Sequence, residues 1–131
     1  MEEMYRELIL DHARHGRNWG LLMPNNFDHE EHNPLCGDRL RLTMRIDDAG
    51  IIREVGWDGE GCAISQAAAS MLGEELVGKP YAEALKINKQ HVLDMIGIPL
   101  TINRIKCALL SLKTLIVGSL DQRAWERVED E

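Results

Sequence analysis

The chain has 131 residues, 44% of them hydrophobic and 28% charged, which is the length of one domain (1–131) and a globular rather than disordered composition. Fifteen Lys and Arg stand against 22 Asp and Glu, a formal charge of −7, so the field repels phosphate backbones and no nucleic-acid partner is expected. The longest uncharged stretch, Gly61 to Gly73, is too short and too polar to cross a bilayer, and no membrane partner is expected.

Met4 to Arg14 reads as an amphipathic helix, with Met4, Leu8, Asp11 and His12 near one stripe and Tyr5, Ile9 and Ala13 beside it. Residues 17–35 hold no period and are rich in Asn, Asp, His, Gly and Pro, which predicts a long loop. The period then changes to two. Leu40, Leu42, Met44 and Ile46 point one way and Arg39, Arg41, Thr43 and Arg45 the other, as in a strand with one wet face. The three arginines are the chain's candidate basic patch and read as polar teeth on that face. Asp47 to Gly50 supplies a turn into a partner strand, Ile51 to Trp57, whose alternation Arg53 breaks.

The glycine-rich bend Asp58 to Cys62 precedes a helix that Ser65 can cap and that runs to Leu76. Pro80 opens a further helix through Ile87, Lys89 to Ile96 reads as a short helix, and Asn103 to Val117 as a long one. A last short helix contains Trp125, followed by an acidic tail, 127–131, expected to fray. Strands first and helices later predict a two-layer α+β domain with helices covering one sheet face.

The chemistry concentrates on cysteine. Cys36, Cys62 and Cys107 occupy three separate breaks in the pattern, and helices packed on the hairpin could bring them to one sheet end. Three cysteines cannot all pair within one chain, and the acidic N-terminus lacks the start of a secretion signal. They read as reduced thiols, metal ligands or nucleophiles in a reducing compartment, so a cytoplasmic location is expected. Thiolates near helix N-termini are stabilised there. Asp38 adds one hard oxygen, giving four donors, the number for tetrahedral zinc or for iron. Inert buried cysteines are the competing reading.

The histidine pairs His12/His15 and His29/His32 read as helix-surface and loop residues rather than metal ligands. Gly59-Glu60-Gly61 lacks the rest of a dinucleotide fingerprint, and Ser65 has no nucleophile-elbow context. Trp19 and Trp57 read as core or partner-contact residues.

Three motifs make the reading specific. Asn33-Pro34-Leu35-Cys36-Gly37-Asp38, Gly59-Glu60-Gly61-Cys62-Ala63-Ile64-Ser65 and Arg104-Ile105-Lys106-Cys107-Ala108-Leu109-Leu110 resemble the U-type iron–sulfur cluster assembly scaffold family (IscU, SufU and NifU N-terminal-like). Tyr5 to His12 and Arg17-Asn18-Trp19-Gly20 are similar to its N-terminal segment. The resemblance implies an IscU-like α+β fold with a small three-stranded antiparallel sheet, the third strand falling at Gly61 to Ile64. It implies a site of Cys36, Asp38, Cys62 and Cys107 that holds iron or a [2Fe-2S] cluster, with Asp38 keeping the site labile. A cysteine desulfurase would deliver persulfide sulfur, apo iron–sulfur proteins would receive the cluster, and the protein itself would be a scaffold rather than an enzyme.

The departures from the family divide the reading. In the IscU branch Cys107 would accept sulfur, but Lys106 replaces that branch's histidine and Pro99 to Arg104 lacks its chaperone motif. Arg104 to Ala108 resembles the SufU branch. There zinc sits on three cysteines and the aspartate, Cys36 would be the freed sulfur acceptor, and Arg104 would steady its thiolate. That branch carries an insertion between its second and third cysteines, whereas Cys62 and Cys107 lie only 45 positions apart. The alternative to a cluster scaffold is therefore a zinc-dependent sulfur relay that activates a desulfurase. The desulfurase is expected to meet the ligand end through Leu21, Leu22, Met23 and Phe27 and the helix near Cys107. The sequence leaves the oligomeric state open.

Overall fold

The alternation at Leu40, Leu42 and Met44 becomes the centre of the sheet. In the computed structural model, which describes residues 2–35, 37–120 and 122–129, strands β1 (Phe27–Asn33), β2 (Asp38–Ile46) and β3 (Ile52–Glu60) form an antiparallel sheet in the order β1-β2-β3. Around it run α1 (Glu2–Arg14), α2 (Ala63–Leu76), α3 (Tyr81–Ala84), α4 (Lys89–Ile96), α5 (Ile102–Gly118) and α6 (Gln122–Glu129). The inner face presents Leu40, Leu42 and Met44, all fully buried, with Val55 and Trp57 beside them. Helix α5 packs on β1 and β2, α2 packs on β3 and on α5, and α1 packs on α2. This is the two-layer α+β arrangement the strand-then-helix order predicts, with a three-stranded sheet. Among the described residues no helix is long and apolar enough to cross a membrane.

The third strand is not where the resemblance places it. Gly61 to Ile64 is a bend and the start of α2, and the edge strand is β1, inside the segment predicted as a loop. The reason is physical. Along Phe27–Asn33 only the two end residues are buried, and the rest is charged or polar, so no apolar alternation marks it. The strand is registered by charge instead. Arg41 donates two hydrogen bonds to Asp28 at 2.8 and 2.7 Å, and Arg39 Nη1 lies 2.7 Å from Glu30, diagonal contacts across the β1–β2 ladder. These bonds hold both carboxyls below their usual range. Arg45 pairs with Glu54, its direct partner on β3, so all three arginines of the candidate basic patch are neutralised within the sheet.

The broken alternation of β3 is a bulge. Arg45 faces Glu54 and Ile46 faces Ile52, which leaves Arg53 unpaired between them. Ile52 and Val55 thereby both reach the core, and Arg53 turns outward to Asp47, 2.7 Å away.

Helix boundaries shift in three places. Helix α2 begins at Ala63 with Cys62 as its N-cap, so Ser65 is inside the helix rather than its cap. Helix α3 is a single turn that ends before Leu85 and Ile87. Helix α6 continues to Glu129 with Trp125 and Val128 buried, so the predicted frayed tail is helical over 127–129, and residues 130–131 lie outside the described ones.

Helix α1 is rotated relative to the predicted stripe. Ile9 and His12 are buried, while Met4 and Leu8 are exposed. A polar pairing turns the helix this way: His12 Nδ1 lies 2.7 Å from Ser70 Oγ, which also accepts the Arg17 N–H at 2.9 Å. Burial, reinforced by the Arg17 charge, lowers the His12 pKa from its ordinary value.

Candidate metal centre

Strand alternation carries Asp38 to the same face as Leu40, Leu42 and Met44, so a carboxylate stands at the end of an apolar row. It is delivered there by the tight link between β1 and β2. Gly37 takes a left-handed φ of +73° and donates its N–H to Asn33 O at 2.8 Å, while Asn33 and Asp38 close the ladder as partners.

Asp38 is 3% exposed, and a buried carboxylate is costly without donors. The N-terminus of α2 supplies one. The Cys62 N–H donates to Asp38 Oδ1 at 3.2 Å, and Cys62 Sγ lies 3.5 Å from Oδ2. Asp38 thus does for α2 what Ser65 was expected to do, and the helix dipole favours its negative charge. Ser65 instead donates to Cys62 O at 3.1 Å and lies 3.8 Å from the Cys62 sulfur. The approach requires Gly61, where a Cβ would fall 2.6 Å from Ser65 Oγ and 2.7 Å from Asp38 Cγ.

Cys107 arrives from the opposite side, in the second turn of α5, 5% exposed. Thr101 caps that helix by accepting the Arg104 N–H at 3.4 Å. One donor atom each from Asp38, Cys62 and Cys107 lies within 4.8 Å of the other two. Around tetrahedral zinc with Zn–S bonds of about 2.3 Å, two sulfurs sit about 3.8 Å apart. Two sulfurs and a carboxylate oxygen at this spacing fit zinc or a thiolate-ligated iron after a small inward movement. Cys36, the fourth expected ligand, lies outside the described residues, and its chain neighbours Leu35 and Gly37 belong to the link beside Asp38.

Arg104 is exposed in the first turn of α5, one turn before Cys107. Lys106 is also exposed, and it lines a cavity of about 350 Å³ with His32, Asn33, Leu35, Ile105 and Lys113. That cavity shares Asn33 with the metal centre. The histidine pairs do not meet as ligands. His12 is tied to Ser70, His29 to Glu31 at 2.8 Å and His32 to Glu30 at 3.2 Å. Trp57 is fully buried core, as expected.

The expected desulfurase surface needs one correction. Phe27 is buried, edge-on to Tyr81 with ring centroids 6.2 Å apart. It lies at the far end of β1 from Asn33, about 20 Å away at strand rise. Leu21 and Met23 are exposed, as are two apolar residues not predicted for this surface, Leu35 at 63% and Ile102 at 77%. Leu35 falls in the segment without a period, and Ile102 shares the helical period of Ile105 and Leu109 but is the first residue of α5, so no periodic signal in the sequence marks either as exposed.

Comparison with known proteins is consistent across sequence and structure. Residues 4–124 match the family model described as NifU-like N terminal domain. The chain is 36% identical to the zinc-dependent sulfurtransferase SufU of Bacillus subtilis, covering 90% of each chain. It is 34% identical to the iron-sulfur cluster assembly scaffold protein IscU of Aquifex aeolicus, covering 89% of this chain and 74% of that one. The SufU alignment spans 135 positions against 131 residues here, so it opens gaps in this chain. Among solved structures, the SufU-named protein FiSufU of Fervidobacterium islandicum AW-1 superposes with a TM-score of 0.77 at 28% identity. That match covers 88% of this chain and 96% of FiSufU.

Proposed function

We propose, for a chain that belongs to the NifU-like N terminal domain family, that it is an iron–sulfur assembly scaffold whose cargo is built on Cys36, Asp38, Cys62 and Cys107. The observation that carries the reading is the convergence of Asp38, Cys62 and Cys107 from three elements onto one point. Sulfur would arrive as the outer sulfur of a persulfide on a cysteine desulfurase. The Cys107 thiolate attacks that sulfur, the donor S–S bond breaks, the desulfurase cysteine leaves as thiolate, and a new S–S bond forms on Cys107. Two such sulfurs, two ferrous ions and two electrons from an external one-electron donor then complete a [2Fe-2S] cargo. Each sulfane sulfur takes one electron from an iron that becomes ferric and one from the donor as its S–S bond to Cys107 breaks and it leaves as sulfide. Asp38 is the one oxygen donor in the set and the weakest ligand for cluster iron, which favours release to apo-proteins. Arg104 and Lys106, both solvent-facing near Cys107, would meet the incoming partner.

A second reading has its own support, the 36% identity to a protein named as a zinc-dependent sulfurtransferase and a donor set equally suited to tetrahedral zinc. In that reading Cys36 accepts the sulfur, Arg104 steadies its thiolate, and zinc supplies a fixed positive charge that orders the ligands.

Mass spectrometry of the chain after incubation with a cysteine desulfurase and cysteine, anaerobically and without iron, separates the two. The scaffold reading predicts one added sulfur on Cys107, lost in Cys107→Ser and kept in Cys36→Ser, with or without zinc. The relay reading predicts it on Cys36 and only with zinc bound. Sulfur on neither residue would overturn both.

A further inference from the structure

Asn33 ends an edge strand, where an amide is ordinarily solvated, yet it is 7% exposed. Its polar groups are committed to different pieces of the metal centre. The main-chain carbonyl accepts from Gly37 N at 2.8 Å, and Oδ1 accepts from Leu35 N at 3.2 Å. These two bonds, to Leu35 and Gly37, fix the link that delivers Asp38, the residue facing Asn33 across the ladder. The remaining group, Nδ2, points across to α5 and donates to Cys107 Sγ at 3.9 Å, over a sequence separation of 74. One side chain therefore ties the segment of the first ligands to the last ligand.

An N–H directed at a thiolate stabilises its charge, draws electron density from the sulfur and fixes its direction. The same donor to a ligand sulfur is one of the levers that set the potential of an iron–sulfur site. We infer that Asn33 is a positioning residue for Cys107: it aims the sulfur at the centre and moderates its donor strength, without being a ligand itself. The inference rests on the proposed reading of Asp38, Cys62 and Cys107 as ligands.

A merely structural role, in which the amide only holds the link, is chemically separable. Serine at position 33 retains a side-chain oxygen that can accept the Leu35 N–H in a serine turn, but it is too short to reach Cys107. Alanine loses both contacts. The reduced 131-residue chain, Asn33→Ser and Asn33→Ala would each be titrated with zinc against a chelator and with Co²⁺, following the sulfur-to-cobalt charge-transfer band. Melting of the metal-free proteins reports the fold.

The inference predicts that Asn33→Ser melts like wild type, binds zinc about 10–100-fold more weakly and carries its cobalt band at lower energy, because the thiolate is more electron-rich. Asn33→Ala should show the same band shift with a lower melting temperature. An Asn33→Ser protein with wild-type affinity and band would overturn the inference, as would weakened affinity with an unmoved band. The band is read on the folded, cobalt-bound fraction, so it decides the matter even for a destabilised variant. Wild-type protein that binds neither metal would reject the ligand reading itself, a result distinct from any difference among the variants.

Discussion

Asp38→Ala should move two properties in opposite directions: zinc affinity falls by at least about tenfold, while a reconstituted cluster survives longer than on the wild-type chain. Zinc loses one of its few ligands outright. A cluster loses its one oxygen donor, the ligand that acid or water most readily detaches, and remains on sulfur. The substitution also removes the acceptor of the Cys62 N–H at the head of α2, which should cost the metal-free protein about 1–3 kcal/mol. Chelator competition, loss of the visible cluster absorbance with time and melting of the metal-free protein read the three effects separately. A cluster that vanished faster on Asp38→Ala would sink the scaffold account of this residue.

Gly61→Ala should disable the centre without replacing any proposed ligand. Its methyl group would meet Ser65 Oγ and the Asp38 carboxyl at 2.6–2.8 Å, closer than any stable contact. Either Asp38 leaves the α2 N-terminus or the bend opens and carries Cys62 away. Overpacking of this kind costs about 1–3 kcal/mol, and a displaced ligand should weaken zinc binding by at least about tenfold. Truncating the second obstacle in Gly61→Ala/Ser65→Ala should recover part of that loss. Wild-type affinity in the single variant would mean that the bend relaxes without disturbing the ligands, contrary to the close packing described above.

Much of the candidate site was legible in the sequence because Cys36, Cys62 and Cys107 stand at breaks in the pattern and, with Asp38, lie in the three motifs that carry the family resemblance. Two residues before Leu40, Asp38 had to share the apolar face, and the break at Gly61 put Cys62 ahead of a helix. What escaped was held by interactions that leave no apolar period. Strand β1 is registered by Asp28–Arg41 and Glu30–Arg39 rather than by buried side chains, so it read as a loop, and Phe27 with it as a surface residue. Helix α2 took its cap from Asp38, 24 positions upstream, which no local capping rule anticipates, so the local candidate Ser65 was preferred. Helix α1 was turned by the His12–Ser70 pairing, a polar contact between distant residues that overrides the ranking of Met4 and Leu8 as core. Asn33 was visible only as part of a motif, since its partner Cys107 lies on a helix far along the chain.

The central claim, that these residues assemble and pass on an iron–sulfur cluster, is tested most directly by anaerobic transfer. The metal-free and zinc-loaded chains would be incubated with a cysteine desulfurase, cysteine, ferrous iron and a reductant, re-isolated, and mixed with an apo-ferredoxin. The account predicts that the metal-free chain carries acid-labile sulfide in proportion to iron and that the ferredoxin spectrum appears rapidly on mixing. No cluster on either form, with faster desulfurase turnover only when zinc is bound, would contradict it and leave the chain as a zinc-dependent sulfur relay.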